Sequence, residues 1–118
     1  MANDFKRTCT PSVGTSLAAV YTVPAGASSA ALETIVIGIT MANKTTTGIT
    51  GSIFLDNEDG SNDVFIVKDA TIPAGASLEV MAGNKLVLQN DGTNADVLKA
   101  SCSVANSLDV TVSILEDV

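Results

Sequence analysis

The sequence contains no histidine and no tryptophan, and its aromatic content is one Tyr and three Phe. Without histidine, Ser-His-Asp and Cys-His nucleophile systems, histidine-bearing zinc sites and the commonest general base are all excluded. Cysteine is nearly absent too. Cys9 and Cys102 cannot close a structural zinc site, and two cysteines so far apart do not make a secreted disulfide scaffold. Both read as free thiols of a chain made in a reducing cytoplasm, with Cys102 packed at the end of a strand. Basic charge is scarce, with six Lys and Arg against 13 acidic residues and a net charge of −7. The largest basic cluster is Lys6-Arg7, so a phosphate backbone would be repelled and no nucleic-acid partner is predicted. No apolar run approaches the roughly 18 residues of a membrane span. The opening Met-Ala-Asn-Asp-Phe-Lys-Arg-Thr has no apolar signal segment either, which predicts a soluble product without a membrane partner. There is no G-x-G-x-x-G and no P-loop.

What is present is aliphatic and β-branched. The chain is 118 residues long and 46% hydrophobic, enough for one domain with a core of Val, Ile, Leu and Ala and no need of staples. Tyr21, Phe54 and Phe65 each lie in an apolar run and are expected as core fillers. Eight short strands can be traced. Leu17 to Val23 alternates, with Leu17, Ala19, Tyr21 and Val23 on one face. Ala31 to Met41 places Ile35, Ile37, Ile39 and Met41 on one face and Thr34, Val36, Gly38 and Thr40 on the other. Ile49 to Asp56 turns Ile49, Ile53 and Leu55 inward, and Gly51 marks a bulge or a close neighbour. Val64 to Lys68 is a short strand. Leu78 to Met81 and Lys85 to Gln89 read as a hairpin about a turn at Ala82-Gly83-Asn84. Asp96 to Cys102 follows, and Leu108 to Glu116 alternates cleanly, with Leu108, Val110, Val112 and Ile114 on one face.

No stretch carries a helical apolar period. The fold class expected is therefore all-β: an antiparallel β-sandwich, jelly-roll or Ig-like, of about eight short strands. Residues 1–16 are polar and aperiodic and read as an N-terminal extended arm, with the sandwich domain over residues 17–118. One internal echo stands out: Val23-Pro24-Ala25-Gly26-Ala27-Ser28 against Ile72-Pro73-Ala74-Gly75-Ala76-Ser77. Pro fixes φ and Gly permits a positive φ, so two similar turns explain the match.

Site candidates are few. Asp56, Glu58, Asp59 and Asp63 crowd oxygen ligands into one loop, a weak Ca²⁺ candidate. Gly60 stands where an EF-hand loop needs Asp or Asn, so the loop reads as a solvated turn and no metal or cofactor is predicted. Glu33, Glu79 and Glu116 lie near strand ends, where charge commonly faces water or guards an edge. No catalytic pair is visible, and the chain is predicted not to be an enzyme. Aromatic platforms for sugars are lacking as well.

The opening Met1 to Arg7, Gly14-Thr15 followed by Ala19-Val20-Tyr21-Thr22-Val23-Pro24, Val36-Ile37-Gly38-Ile39, Ile66-Val67-Lys68, Ile72-Pro73-Ala74-Gly75 and the closing Asp109-Val110 to Glu116 together resemble small virion proteins of tailed bacteriophages, common among marine and cyanobacterial phages. The resemblance spans nearly the whole chain, through strand and turn signatures without catalytic content. It implies a virion structural protein assembled in the host cytoplasm. The role it favours is a capsid decoration or cement protein seated on the major capsid protein. Its partners would be that protein, other virion subunits and further copies of itself, with weak contacts adding up over a lattice. The arm would supply an interaction element through Asp4, Phe5, Lys6 and Arg7. A tail, baseplate, collar or fibre-attachment protein forming a ring or trimer is the alternative, and a host-glycan-binding module the second. Deletion of residues 1–12 is expected to spare the sandwich and weaken attachment.

Overall fold

The computed structural model describes residues 3–81 and 85–117. Nine strands account for most of them: β1 (Asn3–Val13), β2 (Ala18–Thr22), β3 (Leu32–Asn43), β4 (Ile49–Asp56), β5 (Val64–Ile72), β6 (Ser77–Glu79), β7 (Leu86–Asn90), β8 (Val97–Cys102) and β9 (Leu108–Asp117). They form two antiparallel sheets packed face to face. In the first, β1 pairs with β9 and β9 with β3, while β6 and β7 both lie on the far side of β3. The second runs β2-β8-β4-β5.

β6 pairs with Thr40 to Ala42 and β7 with Leu32 to Val36, both antiparallel to β3. The two therefore point the same way and make one interrupted edge strand. The expected hairpin is corrected by this pairing, and its turn at Ala82-Gly83-Asn84 lies outside the described residues. Counting β6 and β7 as one strand, the order is first-eighth-third-sixth against second-seventh-fourth-fifth. That is the jelly roll, chosen from the two sandwich types that alternation alone left open.

The leader is extended, but it is not an arm set apart from the body. β1 runs along β9 in register from Asn3↔Asp117 to Thr10↔Val110, so most of the stretch expected as an arm is an edge strand of the first sheet. Its periodicity was hidden because the inward positions are polar. Lys6 reaches Glu116, and the Thr8 hydroxyl donates to the Val20 carbonyl of β2 at 2.9 Å. Near Pro11 the register slips before Val13 rejoins Leu108. At this bulge Asp109 Oδ1 accepts the Ser12 N–H at 2.9 Å and pairs with Lys44 Nζ at 2.9 Å. Pro and charge on an edge strand are ordinary protection against unwanted pairing.

Bulges also decide which side chains fill the core. Leu108, Val110, Val112 and Ile114 of β9 are buried as their alternation predicts. On β3 the register shifts between Val36 and Gly38, and the extra residue reverses the alternation. Thr34, Val36, Ile39 and Met41 are buried, whereas Ile35 and Ile37 turn outward. A second bulge between Ala19 and Tyr21 buries Val20 and Tyr21 together and leaves Leu17 and Ala19 outside. In β4 the irregularity at Gly51 is the expected one. A Cβ there would stand 3.1 Å from both Ile72 Cδ1 and Met41 Sδ, so the core closes over a missing side chain.

The two Pro-Ala-Gly segments carry the chain from the second sheet to the first, at β2–β3 and at β5–β6. Their conformations differ. Gly75 has φ +69 in a turn closed by Ala76 N–H to the Pro73 carbonyl at 3.0 Å. Gly26 is extended and leads into a short 3-10 turn at Ala27–Ser29. What they share is an anchor: Asn90 Nδ2 donates to the Val23 carbonyl at 2.9 Å, and Asn43 Nδ2 to the Ile72 carbonyl at 3.1 Å. Each buried Asn thus satisfies the backbone oxygen ahead of a proline where the chain changes sheets.

Candidate functional site

A group of interacting polar side chains lies at the sandwich rim where β1 and β2 come together. Glu116, near the end of β9, is only 4% exposed. Its Oε1 accepts from Lys6 Nζ at 2.8 Å, and its Oε2 accepts from the Tyr21 hydroxyl at 2.6 Å. Tyr21 OH also lies 2.9 Å from Thr34 Oγ1 on β3. The carboxylate thus ties β9 to β1 and β2, and the Tyr21 hydroxyl carries the chain of bonds on to β3. A groove of about 480 Å³ opens over them, lined by Lys6, Thr8, Val20, Tyr21, Pro24 and Glu116 among others.

Electrostatics lock this group in one protonation state. Burial works to raise the Glu116 carboxyl, but the Lys6 and Tyr21 hydrogen bonds outweigh it and hold it below the usual carboxylate range. Burial, and then the carboxylate beside it, push the Tyr21 hydroxyl far above its ordinary value. Lys6 is likewise held more basic by its hydrogen bond to Glu116. A proton-transfer carboxyl working near neutral pH needs the opposite shift. The arrangement is suited to latching the rim of the sandwich. The expectation that Glu116 faces water is corrected here, whereas Tyr21 is buried in the core as expected and adds a hydroxyl bond to Glu116.

The acidic loop does not converge. Asp56 pairs with Lys99 at 3.0 Å, Asp59 Oδ1 accepts the Ser61 N–H at 2.9 Å, and Asp63 Oδ1 accepts the Asn57 N–H at 2.8 Å. Glu58 turns away toward Asp96 and Asp91, where burial and then those carboxylates raise its pKa. Among the described residues no three acidic, His or Cys side chains gather as a metal site. Asp96 was not singled out by sequence reading, yet it organises the loop. It is 6% exposed and accepts the Glu58 N–H at 2.7 Å and the Gln89 N–H at 2.8 Å. Its only signal in the sequence was an acidic residue at the start of a strand.

The four leader residues divide between two faces. Lys6 points into the rim and Asp4 stands opposite Glu116, while Phe5 and Arg7 occupy the alternate, outward positions. Phe5 is 78% exposed. Phe54 and Phe65, expected in the core, instead pack edge to face on the outside of the second sheet, with ring centroids 5.0 Å apart. Lys68 Nζ sits 5.4 Å from the centre of the Phe65 ring. Glu33 and Glu79 are exposed, and Glu79 Oε2 accepts from Thr40 Oγ1 at 2.9 Å. Both cysteines are free, Cys9 exposed and Cys102 buried at the end of β8. Comparison of the chain with protein-family models, curated proteins and solved structures finds no match.

Proposed function

We propose that this chain is a structural component of a phage particle, acting as a decoration or cement protein that docks on the major capsid protein and bridges its neighbours. The observation that carries the reading is the placement of exposed apolar side chains on opposite faces of a jelly roll. Phe5 and Val87 lie outside the first sheet, and Phe65 lies outside the second. A body with a docking face on each side can join two subunits, and weak contacts repeated over a lattice accumulate into firm attachment. The titratable group at the rim is locked rather than poised, which also favours a role in holding over one in chemistry. The phage-protein resemblance in the strand and turn signatures supplies the virion context, and with it a location on particles assembled in the host cytoplasm.

The test is the abundance of this chain relative to the major capsid protein in purified particles. A decoration protein is expected at a ratio close to that of the lattice it covers. A ratio typical of a single ring would move the chain to the tail, and its absence from washed particles would remove the virion reading altogether.

A further inference from the structure

Across the outward face of the first sheet, four aliphatic or aromatic side chains stand in one row. Registers place Phe5 opposite Leu115, Leu115 opposite Ile35 and Ile35 opposite Val87. Each alternates with an inward neighbour: Ile114, Val36 and Leu88 are buried, and Lys6 points into the rim. The row thus crosses all four strands from edge to edge. Phe5 is 78% and Val87 56% exposed, and Ile37 at the β3 bulge adds a further outward side chain.

Charged side chains flank this row on both sides, and Glu79 of β6, which accepts from Thr40 Oγ1 and the Ile39 N–H, stands beyond Ile37. One position further along, Arg7 on β1 and Lys85 just before β7 stand on the side of Ile37. On the other side, Glu33 on β3 pairs in register with Gln89 on β7. A face with an apolar row in the middle, Lys85 on one side of it and Glu33 beside Gln89 on the other is complementary to itself at these positions under one operation. A twofold axis parallel to the strands would set Arg7 against Lys85. An axis along the apolar row lays that row on its own copy and brings Lys85 of each chain to the Gln89–Glu33 corner of the other.

We propose that the outward face of the first sheet is a self-association surface, on which two copies of this chain pack face to face about a twofold axis running along Phe5, Leu115, Ile35 and Val87. Sheet-on-sheet packing of this kind is the arrangement the chain already uses inside its own core. Four strands at about 4.8 Å spacing and five outward rows at about 6.8 Å cover on the order of 600 Å² in projection. With the relief of the side chains this approaches the roughly 800 Å² per partner of a specific pair. The second sheet, with Phe65, remains free on both copies. The pairing does not depend on the particle role and can fail or succeed without it.

Sedimentation equilibrium on the full chain tests the inference. The native protein is expected to be a dimer at about 50 μM. Val87→Lys and, independently, Phe5→Ser are expected to be monomers with an unchanged β circular dichroism signal, because both positions point to solvent. Lys85→Glu and Glu33→Lys each place like charges in contact and should weaken the dimer at least tenfold. An equimolar mixture of those two variants restores both contacts and should recover dimer. A native monomer over this range, a trimer, dimers that persist in both Val87→Lys and Phe5→Ser, or a mixture no more associated than its components would each overturn the proposal.

Discussion

Two carboxylates near the surface of the sandwich should respond to pH in opposite directions. Glu116 has its folded pKa depressed by Lys6 and Tyr21. Its contribution to stability is therefore present above the unfolded glutamate value of about 4.3 and lost as pH falls through the lower folded value. Glu58 has its folded pKa raised by burial and by Asp96 and Asp91. Its contribution is present below the unfolded value and lost as pH rises through the raised one. In urea titrations at about pH 7, Glu116→Gln is expected to lower the unfolding free energy by about 1–3 kcal/mol, since Lys6 loses its ion pair and the Tyr21 hydroxyl its charged acceptor. Glu58→Gln should raise the urea midpoint at the same pH, and both differences should shrink at about pH 3 as the native carboxylates protonate. Two shifts of the same sign would contradict this assignment. Neither behaviour was legible in the sequence. Glu116 lies near a strand end where charge usually meets water, and only the approach of β1 and β2 buries it.

At the scale of the element, alternation identified strands well and faces poorly. β9 was read correctly along its length because it has no irregularity between Leu108 and Ile114. β3 was read as a strand, but the bulge after Val36 sent Ile35 and Ile37 outward, and a one-residue shift exchanges every later side chain. β1 escaped notice because its inward positions are Lys and Thr and its pairing depends on β9, almost a full chain length away. The hairpin reading of β6 and β7 failed for a related reason. Each has a stronger antiparallel partner in β3 than in the other, which no local pattern can reveal. The pairing of β1 reverses the expected result of truncation. Removing residues 1–12 takes away an edge strand, bares β9 and leaves Glu116 without Lys6. Circular dichroism and thermal melting should show a lost or strongly destabilised β fold. A truncated chain that melts like the native one would return the leader to the status of an arm.

For the whole molecule, alternating β-branched runs between turn signals and the lack of a helical apolar period were enough to reach an all-β sandwich. The strand order distinguishing a jelly roll from an Ig-like fold is set by pairings between distant segments. The repeated Val/Ile-Pro-Ala-Gly-Ala-Ser segments did carry a trace of that order, since both mark crossings from the second sheet to the first with a buried Asn as anchor. The outward apolar side chains could not be read in advance, because Phe5 was assigned to an arm, Phe54 and Phe65 to the core, and Ile35 to one face with Ile39 and Met41. Their outward placement is the basis of the proposed role. That role is tested most directly by electron cryomicroscopy of the intact particle with and without this chain. The account predicts difference density of jelly-roll shape repeated over the capsid lattice, with the Phe65 face of the second sheet against the shell. Density confined to the tail, or two reconstructions without a difference, would contradict it.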